Sequence, residues 1–199
     1  MDSLADKLQD YPDSVIIKYG FKIGTWFRNR HRFDKASAVY VHVESKAVEL
    51  NDSTSLCLAY FYLGLSYKNL GIANRGLQYL FKSQALAEKL NDLDGTAQAL
   101  LLIGNVKKGQ DLLHESIDFL ARALTISEQL QDQEMMASIY NNLGSAHKKL
   151  GDYARAKEYF LASIELNKRY GNGKHLSHNC NKLANVFEET GELGNAIIY

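Results

Sequence analysis

Apolar side chains recur at three- and four-residue steps through most of this chain. Between 139 and 150 they fall at Ile139, Tyr140, Leu143, Ala146 and Leu150, which draws one stripe along an α-helix. Gly151-Asp152 interrupts the stripe. Glycine suits the left-handed position that ends a helix, and aspartate can cap the next one. A second stripe then runs through Tyr153, Ala156, Phe160, Ile164 and Asn167, apolar for its first three turns. The spacing predicts a helix, a tight turn and a second helix.

This hairpin repeats. Leu50-Asn51-Asp52, Leu90-Asn91-Asp92, Leu130-Gln131-Asp132 and Tyr170-Gly171-Asn172 stand 40 residues apart. Ile23-Gly24, Leu63-Gly64, Ile103-Gly104, Leu143-Gly144 and Leu183-Ala184 keep the same step, as do the small residues Ala36, Gly76, Ser116, Ala156 and Ala196. A bulky position at Phe27, Tyr67 and Phe187 is replaced by Lys107 and His147 in two repeats. One hairpin cannot bury both its faces, so neighbours must stack. Small residues belong where helices cross closely. Gly144 is therefore expected at such a crossing, with Gly144→Leu overpacking it and Gly144→Ala mild, since Ala184 fills the equivalent place.

These residues resemble the tetratricopeptide motif, best in Tyr140, Leu143, Gly144, Gly151, Tyr153, Ala156 and Phe160. The likeness covers 13–199 as repeats 13–52, 53–92, 93–132 and 133–172 and a partial repeat 173–199, after a lead-in over 1–12 that reads as a short serine-capped helix. The period departs from the usual one of about 34, and the proline between repeats is missing. The extra residues lengthen each hairpin at ~1.5 Å apiece. The resemblance implies an all-α right-handed superhelical solenoid of antiparallel hairpins, about ten helices with the short first one counted. It also implies that the first helix of each repeat lines a concave groove that binds a protein or peptide. The long repeat is similar to those of signalling adaptors and bacterial regulators. The opening residues look like the start of bacterial sensor regions, in which repeats precede a membrane helix and a histidine kinase or helix-turn-helix output domain.

Composition narrows the partners. Lysine plus arginine equals aspartate plus glutamate, 23 each, so nothing draws the whole chain to a phosphate backbone and nucleic acid is not expected. No apolar run approaches the ~20 residues that span a bilayer. The single proline, Pro12, leaves the rest free for continuous helix. Cys57 and Cys180 fall on buried-looking positions and read as core residues.

No catalytic constellation stands out, and no metal or cofactor is expected. His175, His178 and Cys180 read as surface histidines beside a core cysteine. Gly171-Asn172-Gly173-Lys174 lacks the strand, the spaced glycines and the following Ser/Thr of a phosphate loop, and reads as a turn. Glu188, Glu189 and Glu192 read as a solvated face. The first-helix face is more informative. On or beside it lie Lys68, Asn105, Lys108, Asn141, Asn142, Lys148, Asn181 and Asn185. Asparagine offers a donor and an acceptor, so a ladder of them can clamp an extended backbone. Lys68, Lys108 and Lys148 share one register and favour an acidic peptide or a terminal carboxylate. Phe21, Phe61 and Leu101 hold the register of Asn141 and Asn181, which makes the N-terminal end of the face apolar and the C-terminal end polar.

Two functions follow. One is the ligand-sensing or interaction part of a longer bacterial signalling protein; the other is a free-standing cytoplasmic scaffold. The sensor reading places the region in the periplasm if a removed leader preceded Met1. The last repeat stops a few residues into its second helix. Val186, Ile197, Ile198 and Tyr199 are then expected to lack their cover and to drive self-association through the C-terminal end.

Overall fold

A computed structural model describes residues 13–169 and 173–196, and every regular element among them is helical. In chain order these are α1 (Asp13–Arg28), α2 (Phe33–Glu49), α3 (Ser53–Asn69), α4 (Ala73–Lys89), α5 (Leu93–Gly109), α6 (Leu113–Gln129), α7 (Gln133–Lys149), α8 (Tyr153–Arg169), α9 (Gly173–Glu189) and α10 (Leu193–Ala196). The expected all-α series of hairpins is what the chain forms. The short helix read before Pro12 lies outside the described residues.

The turns carry the repeat as clearly as the helices do. Backbone φ is positive at His31, Gly71, Asp111, Gly151 and Gly191, the turn within each hairpin. It is positive again at Asn51, Asn91 and Gln131, the turn between hairpins. At Gly71 the N–H bonds Lys68 C=O and the next N–H, of Ile72, reaches back to Tyr67 C=O, so the last carbonyls of α3 are satisfied. The same pair of bonds closes α7 at Gly151 and Asp152. A side chain in this left-handed region costs roughly 1–2 kcal/mol, and glycine gives part of that back in lost chain entropy. Gln131, at φ 55°, has no such excuse of a small polar side chain. Gln131→Gly is therefore expected to raise stability by about 0.5–1 kcal/mol, read as a higher urea midpoint.

Aspartates start the first helices. Asp52, Asp92 and Asp132 accept the backbone N–H of Ser55, Gly95 and Met135 at 3.0, 2.9 and 2.9 Å. The Ser55 hydroxyl, then its N–H, hold the Asp52 carboxyl below the ordinary aspartate range. A depressed folded-state pKa means the cap contributes fully above the unfolded value and is lost as pH falls through the folded one. Asp52→Ala should cost about 1 kcal/mol at neutral pH. The gap between the two proteins' melting temperatures should close as pH drops below about 4.

The described helices form two compact units, Met1–Leu102 and Ile103–Tyr199, with the boundary inside α5. In the first unit α2 lies against both α1 and α3, and α3 packs on α4. Tyr40 is fully buried there, stacked on Tyr62 with centroids 5.1 Å apart, beside Ala36, Leu63 and Tyr67. In the second unit α7 packs on α6 and α8, and α9 on α8 and α10. Its core gathers Ala156, Phe160, Ile164, Leu183, Val186 and Phe187. Val186 is 0% exposed, which corrects the expectation that it lacks cover; Ile197, Ile198 and Tyr199 lie outside the described residues.

Each glycine of the crossing register faces the residue sixteen positions on. A Cβ on Gly64 or Gly104 would stand 2.6 or 2.8 Å from Leu80 or Leu120, and one on Gly24 would enter the Tyr40 ring. On Gly144 it would meet three Phe160 ring carbons at 2.9–3.1 Å. Phe160 is fully buried and cannot swing aside. Alanine is thus not mild at 144.

Candidate functional site

In the second unit the first helices α7 and α9, with the end of α5, carry a polar face whose groups are tied across neighbouring helices. Lys108 Nζ on α5 donates to Asn142 Oδ1 at 2.5 Å, and Asn142 Nδ2 donates to Ser138 C=O at 2.9 Å. Lys182 Nζ on α9 donates to Asn141 Oδ1 at 2.9 Å and reaches Ser145 Oγ at 3.1 Å. Lys148 pairs with Glu189 across α7 and α9 at 3.0 Å. The structure therefore engages Lys108, Asn141, Asn142 and Lys148 in three separate inter-helix contacts on this face. Asn181 and Asn185 are exposed on α9. Asn105 is half-buried, and its amide oxygen is enclosed without a donor among the described residues. Lys68 belongs to the first unit, where burial alone pulls its ammonium below the ordinary lysine range.

The geometry changes what the asparagines can offer. With its oxygen taken by Lys182, Asn141 has its Nδ2 hydrogens left for a ligand. Asn142 spends its oxygen on Lys108 and one amide hydrogen on Ser138 C=O. The lysine register does not form a row of bare charges. Glu189 is a partner for Lys148, with its carboxyl held low by that lysine and then by Tyr153. Glu192 pairs with Lys157 at 2.6 Å. Both glutamates were read from sequence as a solvated face; they remain partly exposed but are engaged.

In the first unit the equivalent face is aromatic. Phe21 lies 6.3 Å from Tyr40 and 6.0 Å from Tyr62, centroid to centroid, so it is shared with the core. Phe61 meets Tyr62 edge-on at 5.5 Å. Lys22, Ile23, Trp26 and Phe27 frame an apolar hollow on α1.

A polar hollow of about 350 Å³ opens beside Asn141, between α7, the end of α8 and the start of α9. Its wall includes Glu134, Ser138, Asn167, His175, His178 and Asn179. Asn167 and Asn179 are buried, 6% and 2% exposed. The sequence places Asn167 only at the end of a helical stripe and does not single out Asn179 or Lys182. A signal existed: Asn179 holds the register of Ile139, Ala99 and Ala59, and Asn167 that of Ser127, Ala87 and Ala47. Among the described residues no three His, Cys, Asp or Glu side chains are grouped to hold a metal ion. No described helix is long and apolar enough to cross a membrane.

Comparison with known proteins matches this architecture. Residues 135–199 fit the tetratricopeptide repeat family model. BtubC of P. vanneervenii superposes with a TM-score of 0.79 at 17% identity, over 99% of this chain and 88% of that one. A Rap protein solved with Competence and Sporulation Factor superposes at 0.82 and 18% identity, over 94% of this chain and 53% of its own length. This chain thus spans about half of that protein. The chain has the fold of these helical-repeat proteins, and residues 135–199 carry the tetratricopeptide repeat itself. A signal-transduction ATPase of Pyrococcus horikoshii with a tetratricopeptide repeat sensor gives 0.79 at 13% identity, over 90% of this chain and 28% of that one. No curated protein matches the chain in sequence.

Proposed function

We propose that the chain is a non-catalytic polypeptide-binding module, and that in its second unit the ligand lies along the first-helix face. The observation that carries this reading is the orientation of Asn141. Lys182 holds its oxygen, so its amide hydrogens are fixed in advance for a backbone carbonyl. Asn181 and Asn185 extend the amide series on α9. Lys108 bridges helices beside them and adds positive charge, Lys148 does so as the partner of Glu189, and Lys68 adds charge in the first unit. The Rap protein was solved with Competence and Sporulation Factor and the archaeal ATPase carries its repeats as a sensor. Those neighbours favour the ligand-sensing part of a longer bacterial signalling protein over a free-standing scaffold.

Peptides selected from a random displayed library provide the ligand for the test. Asn181→Ala with Asn185→Ala removes two exposed amides, so the melting temperature should stay within a degree or so of the parent. Each lost contact of about 1.4 kcal/mol weakens binding tenfold. Calorimetry is expected to show at least about a tenfold loss for the pair. Unchanged affinity would move the ligand to another surface.

A further inference from the structure

The polar hollow beside Asn141 is lined by two buried asparagines where other repeats hold small or apolar residues. Ser163 decides its chemistry. Its hydroxyl carries one hydrogen, and that hydrogen goes to Ala137 C=O at 2.6 Å. The Asn179 atom 2.6 Å from Ser163 Oγ must then be the amide nitrogen. Asn167 likewise has to present its nitrogen to Ser163 C=O at 2.7 Å. Both buried amides are thereby fixed in orientation, and each keeps an oxygen for which the structure gives no donor among the described residues. Two asparagines that are nine-tenths buried thus border the hollow, with the Glu134 carboxylate on the same wall.

We propose that this hollow is a specificity pocket for a guanidinium-bearing side chain, an arginine of the bound polypeptide. A guanidinium is planar, always charged and made of donors only, which matches a carboxylate and two fixed amide oxygens. The Asn141 amide hydrogens on the same wall could serve a carboxylate or phosphate, but the Glu134 carboxylate would repel one. His178 fits the same reading. Lys182 beside it, and then burial, lower its pKa, so at neutral pH it keeps a lone pair to accept with. Lys182 itself stays on Asn141 Oδ1 and Ser145 Oγ. The preference runs opposite to the acidic peptide that the lysine register suggests. It rests on the polypeptide-binding reading but uses different residues, so the two can fail separately.

The test uses N-acetyl-arginine-amide and its uncharged isostere N-acetyl-citrulline-amide, titrated into the ¹⁵N-labelled chain. The arginine probe should shift the side-chain amide signals of Asn167 and Asn179 saturably, and citrulline should bind at least about tenfold more weakly. Glu134→Gln, on an exposed residue, should weaken the arginine probe by a similar factor with no change in melting. Equal binding of the two probes, absence of any shift at the solubility limit, or full affinity in Glu134→Gln would overturn the pocket. If arginine fills the hollow while Asn181→Ala with Asn185→Ala leaves peptide affinity intact, the pocket stands and the face reading falls. Peptide loss in that pair without arginine preference gives the reverse.

Discussion

Gly144→Leu is expected to destabilise the second unit by about 1–3 kcal/mol, seen as a lower midpoint in urea. The first added carbon already stands 2.9 Å from the Phe160 ring, and three more would have nowhere to go. Phe160 is fully buried among Ala156, Ile164 and Leu183, so the ring cannot retreat without opening that cluster. Gly144→Ala should fall between parent and leucine variant. A leucine variant that unfolds with the parent would mean that α7 and α8 do not cross where Gly144 and Phe160 meet.

Asn141→Ala should lower stability as well as binding. Removing the amide takes the 2.9 Å acceptor from the half-buried Lys182 ammonium, which burial already pulls below the ordinary lysine range. A charged hydrogen bond lost at such a site costs about 1–2 kcal/mol. Lys182→Met removes the stranded charge, so the double variant should recover much of that loss in thermal melts. Its peptide affinity should stay low, because the ligand's amide partner is still missing. Additive losses in the two variants would show that the pair is not coupled.

The fold was legible because its constraints repeat. A left-handed turn residue every 40 positions and a glycine facing a large residue sixteen places later each impose a local requirement that composition reveals. The same logic misled at Gly144, where alanine in the equivalent place says nothing of the Phe160 ring it would meet, and at Val186, which is buried in one cluster with Phe160 and Phe187. The site was only half legible. Register placed Asn141, Asn142, Lys108 and Lys148 on one face, but the pairing that decides which atom each presents is a contact between helices. Lys182 escaped notice because it holds the register of Asn142 and not of the other lysines. Asn167 and Asn179 interrupt small or apolar registers in adjoining helices, and only their shared partner Ser163 shows that they act together.

The most direct test of the central claim is to map a library-selected peptide on the ¹⁵N-labelled chain by NMR. The side-chain amide signals of Asn141, Asn181 and Asn185 should shift together on binding, along with backbone signals on that face of α7 and α9. Shifts confined to the second helices, α6 and α8, with those three amides unmoved would contradict it.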